Sequence, residues 1–143
     1  MKKSIDQLLN KYLKVLKLND FQKLMDFSMK GYKFVDIPDE EIRKLDQLLK
    51  QRDDEDKLLA KTAALNNKGI AYEKSGSIDK AIKCYEENIL IGYPARHSFD
   101  RLMILYRKLK DYDNELRVIE KAIKIFKEQK YLDRLNKLQN IKN

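Results

Sequence analysis

"GIAYEKSGSIDKAIKCYEENI" spans Gly69–Ile89, and thirty-four residues further on the chain reads "MILYRKLKDYDNELRVIEKAI", Met103–Ile123. Sliding the sequence by this period sets Ile70 on Ile104, Tyr72 on Tyr106, Lys74 on Lys108, Asp79 on Asp113, Glu86 on Glu120, Ile89 on Ile123 and Ile91 on Ile125. Where the residues differ, apolar character persists: Leu65 with Phe99, Ala71 with Leu105, Ile82 with Leu116, Cys84 with Val118 and Tyr85 with Ile119. Two amphipathic stretches joined by a polar turn and repeated at a fixed period form the pattern of one helical hairpin written twice.

Working outward, Ser77 and Gly92 bound one helix, Pro94 opens the next through Lys110, and a turn at Asp111 and Asp113 leads to a helix ending near Phe126. A last helix carries Leu132, Leu135, Leu138 and Ile141 at helical spacing. Upstream, Ile5, Leu8, Leu9, Tyr12, Leu13 and Leu16 define a first helix with a Ser4 cap and Gln7 reaching back. Asn19 caps a second that turns Phe21, Leu24, Met25 and Ser28 inward and ends at Gly31. "GYKFVDIP" reads as a connector, and Pro38 with Asp39, Glu40 and Glu41 starts a third helix burying Ile42, Leu45, Leu48 and Leu49. "QRDDEDK", from Gln51, is a solvated charge run, either a short break or an exposed turn of a longer helix; a new helix runs from Leu58 to Ser75–Gly76.

Composition agrees with an all-α chain. Among 143 residues there are only four Gly and two Pro against 38% charged, leaving little turn chemistry for a many-stranded sheet. The net charge of +8 is carried mostly by lysines scattered beside acids, without a basic run, so it is weak support for nucleic-acid binding. One cysteine, Cys84, excludes an internal disulfide and is expected in the core with Ile78, Ile82 and Tyr85. The N-terminus lacks the continuous apolar region of a signal peptide and no segment approaches membrane-spanning length, so the expected setting is cytoplasmic.

The repeat resembles the tetratricopeptide-repeat (TPR) family over roughly residues 58–126. Leu65, Gly69 and Tyr72 match the family's first-helix signature, Ala81 and Tyr85 its second, and Pro94 lies one residue beyond its closing proline; Lys68 and Asn88 depart from the pattern. The second copy, degenerate, keeps Phe99, Leu102, Tyr106, Tyr112 and Ala122, but places Met103 and Glu115 where Gly69 and Ala81 stand in the first. Those bulkier residues predict a splayed or rotated second hairpin. The resemblance implies a right-handed superhelical array of antiparallel helix hairpins with about seven to eight helices. Residues 1–143 are then expected to form a single all-helical domain: divergent N-terminal helices over 1–57, repeats over 58–94 and 95–129, and a C-terminal capping helix over 130–143.

The resemblance further implies a non-catalytic scaffold whose first helices line a concave groove for a peptide or partner helix. The implied groove set is Ala63, Asn66, Ile70 and Glu73 from one hairpin and His97, Asp100, Arg101, Ile104 and Arg107 from the next, with Arg101 and Arg107 meeting an acidic group of the partner. Asn66 and Ile70 replace the Lys and Asn of the clamp that grips chaperone tails, so that ligand is not expected. His97, the sole histidine, has no nucleophile elbow or zinc-type cluster beside it. Neither enzyme chemistry nor a cofactor is indicated. Two rivals remain: a basic regulatory or nucleic-acid-binding helical protein using the +8 charge, and a homo-oligomer, monomer becoming dimer, docking through the terminal helices.

Overall fold

The computed structural model describes residues 1–142, in which seven helices and one two-stranded ribbon are present. The chain divides into two compact units, Met1–Lys57 and Leu58–Asn143, where the sequence reading takes 1–143 as one domain.

In the first unit, β1 (Lys2–Ser4) pairs antiparallel with β2 (Phe34–Asp36), with Lys3 opposite Val35. The fold is all-α as expected, with this short ribbon as its one addition: part of the "GYKFVDIP" connector is a three-residue strand. α1 (Ile5–Tyr12) buries Ile5, Leu8 and Tyr12, and the Ser4 hydroxyl accepts from the Gln7 backbone N–H at 3.4 Å. α2 (Leu18–Met29) buries only Leu24, so Met25 and Ser28, expected inward, are exposed. Gly31 turns the chain with φ +92, a left-handed conformation that a side chain would strain. Val35, Ile37, Ile42, Leu45 and Leu49 complete this core, while Leu48 points outward. The Tyr12 hydroxyl donates to Asp46 at 2.6 Å.

α3 (Asp39–Lys74) is continuous, so no new helix starts at Leu58. Nothing between residues 39 and 68 is Gly or Pro, and the helix formers Gln51, Arg52, Glu55 and Lys57 carry the exposed charge run past its three aspartates without a break.

In the second unit, α4 (Ile78–Ile91) packs on α5 (Arg96–Lys108), α5 on α6 (Tyr112–Phe126) and α6 on α7 (Gln129–Lys142). The core joins Ala81, Tyr85, Phe99, Leu102, Ile119 and Leu138 with their buried neighbours. Cys84 is half-buried rather than a core residue. On α7, Leu135 and Leu138 pack into this core, whereas Leu132 and Ile141 are exposed.

The period seen in the sequence recurs in the backbone. Between α3 and α4 the N–H of Gly76 bonds to the Glu73 carbonyl at 3.1 Å and that of Ser77 to Tyr72 at 2.8 Å. Thirty-four residues later Lys110 bonds to Arg107 at 3.1 Å and Asp111 to Tyr106 at 2.9 Å. Gly76 and Lys110 both take positive φ, +80 and 57, so one turn is built twice, with glycine only in the first. Met103 and Glu115 are both fully buried. The structure answers the expected crowding there by seating the Glu115 carboxylate against Arg107 inside the second hairpin.

Candidate functional site

The polar side chains on the first helices form ties between neighbours. Asn88 on α4, 2% exposed, shares its amide hydrogens among the Thr62 carbonyl at 3.1 Å, Asn66 Oδ1 at 2.9 Å and Ser98 Oγ at 2.9 Å. The Ser98 hydroxyl in turn donates to Asn66 Oδ1 at 2.6 Å. A buried amide stripped of water needs such partners, so the network locks α3, α4 and α5 in one register.

A charged tie runs parallel to it. The Tyr85 hydroxyl donates to Glu73 at 2.6 Å, and the Arg101 guanidinium bonds both carboxylate oxygens. The Arg101 bond holds the Glu73 carboxyl below the usual carboxylate range, while burial and then Glu73 push the Tyr85 phenol up. Between α5 and α6, Arg107 bonds the fully buried Glu115, and that bond is the main cause that pushes the pKa of its guanidinium further up. Tyr106 and Arg117 both donate to Glu86, linking α4, α5 and α6. Tyr131 donates to Asp100 at 2.9 Å with Lys130 beside it at 3.3 Å, which brings α7 alongside α5.

Within this unit one recess of about 330 Å³ opens between α5 and α7, lined by Ile104, Arg107, Lys108, Arg134 and Lys137. Arg107 is already neutralised by Glu115. Lys108, Arg134 and Lys137 have no carboxylate partner among the described residues. No group of His, Cys, Asp and Glu able to hold a metal ion occurs among the described residues. No described helix is long and apolar enough to cross a membrane.

Residues 62–89, the end of α3 through the turn and most of α4, match the family model of the tetratricopeptide repeat. The chain carries a tetratricopeptide repeat. Over 81 residues it is also 37% identical to the Protein STIP1 homolog of Dictyostelium discoideum, a stretch that is 56% of this chain and 14% of that relative. The chain thus corresponds to a small part of that protein's length.

Seen as a tetratricopeptide array, the residues expected on the groove face divide into two sets. Asn66, Glu73, Asp100, Arg101 and Arg107 are engaged with partners of their own chain. The roles expected of Arg101 and Arg107 toward an acidic ligand are therefore filled internally, by Glu73 and Glu115. His97 stacks edge-on against Tyr85 at 5.7 Å between ring centres. Ile70 and Ile104 are half-buried, and only Ile104 and Arg107 line the recess. Sequence reasoning missed Asn88 with Thr62 and Ser98, although Asn in place of the repeat's Ala was the visible signal. It also missed Arg134 and Lys137, which lie on α7 beyond the stretch that resembles the repeat.

Proposed function

We propose that this chain is a non-catalytic protein-interaction module that holds an extended partner segment along the face of α5, flanked by the last turns of α3 and by α7. The observation that carries this reading is a tetratricopeptide repeat with an open recess on that face, at Ile104 between α5 and α7. The ties described above support it. Because Asn66, Glu73 and Asp100 are held by neighbouring helices, the surface is organised before a partner arrives, which reduces the ordering cost of binding. An extended peptide laid on such a face gains main-chain and side-chain contacts without refolding of the scaffold.

Selection of an unbiased twelve-residue peptide display library on the full chain tests the reading. Enriched peptides should bind the wild type and lose affinity roughly tenfold or more on Ile104→Glu, which puts a charge on the recess floor. Failure to enrich any sequence, or binders indifferent to Ile104→Glu, would overturn it.

A further inference from the structure

The recess has a charge character that its geometry explains. Ile104 and Lys108 stand four residues apart on α5, and Arg134 and Lys137 three apart on α7, so each pair lies on one helical face. Asp100, one turn before Ile104, is satisfied by Tyr131 and Lys130. Arg107 is satisfied by Glu115. What remains around Ile104 is a pocket of uncompensated positive charge with one aliphatic patch.

We infer that this recess reads acidic peptide segments, taking one or two Asp or Glu carboxylates between Lys108, Arg134 and Lys137 while a neighbouring aliphatic side chain packs on Ile104. The inference rests on the protein-binding reading and names the chemistry of its partner. Arg134 supplies the planar fork suited to a carboxylate, and the two lysines supply mobile point charges on either side. A nucleic-acid backbone fits less well. It presents charge continuously along its length, whereas this recess gathers three unpaired cations beside an aliphatic side chain, and the same face carries Asp100 a turn away. The volume of about 330 Å³ holds a side chain or two, not a track of phosphates.

Fluorescence anisotropy on the full chain distinguishes these cases, with two end-capped hexapeptides as probes: Asp-Leu-Glu-Glu-Ile-Asp and its uncharged counterpart Asn-Leu-Gln-Gln-Ile-Asn. The wild type should prefer the acidic peptide by at least about tenfold. A Lys108→Gln, Arg134→Gln, Lys137→Gln variant, shown folded by circular dichroism, should lose that preference. A control with the same loss of charge at exposed lysines elsewhere, Lys68→Gln, Lys83→Gln, Lys124→Gln, should keep it. Equal binding of the two peptides, or loss of preference in the control as well, overturns the inference; if library-selected peptides still depend on Ile104, the broader reading survives. Failure of every peptide, selected ones included, removes both. Displacement of the acidic peptide by lower concentrations of single-stranded oligothymidylate assigns the recess to a polyanion instead.

Discussion

Gly69 shows how one residue sets the distance between two helices. A Cβ placed there would stand 2.3 Å from Tyr85 Cε1 and 2.5 Å from Cζ, and Tyr85 is fully buried with its hydroxyl fixed on Glu73. Alanine would favour the helix by about 1 kcal/mol, but overpacking a locked ring costs about 3 kcal/mol. Gly69→Ala should therefore lower stability by about 2 kcal/mol in denaturant titration; a stabilised variant would mean that the ring moves freely. The equivalent turn positions Gly76 and Lys110 argue in the opposite direction. Lys110 holds φ 57 where its repeat mate is glycine, a left-handed conformation costing a side chain roughly 1–2 kcal/mol. Lys110→Gly should raise stability by about 0.5–1 kcal/mol after the added chain entropy of glycine is deducted. An unchanged midpoint in the same titration would show that the turn stores no strain.

Pairs of elements are held by buried charge as well as by apolar packing. Glu115 on α6 is fully buried and Arg107 on α5 is its partner, so Arg107→Met strands a carboxylate in the core and should cost about 3 kcal/mol. The double variant Arg107→Met, Glu115→Met removes both charges from a site with room for either side chain, and thermal melts should show most of that loss recovered. If the double variant is as unstable as the single one, the pair contributes through shape rather than charge. Such pairs also mark where sequence reading stops. The thirty-four-residue period was legible because Tyr72 and Tyr106, or Ile89 and Ile123, repeat as residue types. That Arg107 meets Glu115 and Arg101 meets Glu73 was not, because helical periodicity assigns a side chain to a face and not to a partner. Three-residue strands were illegible for a related reason. Lys2–Ser4 and Phe34–Asp36 are too short to show alternation and exist only through pairing with residues far along the chain. The charge run after Gln51 reads either as a short break or as an exposed turn of a longer helix, and the second holds, because without Gly or Pro the run has no physical cause to interrupt α3. Of the recess, Ile104 and Arg107 were legible from the repeat, while Arg134 and Lys137 became part of it only when Tyr131 and Asp100 set α7 beside α5.

Across the whole molecule the same motif recurs, a buried tyrosine donating to a carboxylate: Tyr12 to Asp46, Tyr85 to Glu73, Tyr106 to Glu86 and Tyr131 to Asp100. In each, burial first and the adjacent carboxylate second push the phenol above its ordinary value. The sign of the pH effect follows from linkage. A folded-state pKa raised above the unfolded one means that the unfolded chain loses its phenolic protons first, so this stability is complete below about pH 10 and declines as pH rises past it. Thermal melts by circular dichroism should thus hold a level midpoint toward about pH 9.5 and fall beyond it, with phenolate absorbance from the buried tyrosines growing in as helicity is lost. Tyr85→Phe should lower stability near neutrality by about 1 kcal/mol, the loss of one hydrogen bond, yet make the alkaline decline shallower. Crossing of the two stability curves at high pH would be the signature of a phenol kept protonated by the fold. Parallel curves, or full phenolate absorbance near pH 10 with native helicity, would show that these tyrosines ionise in place and that the carboxylates beside them do not govern the alkaline limit.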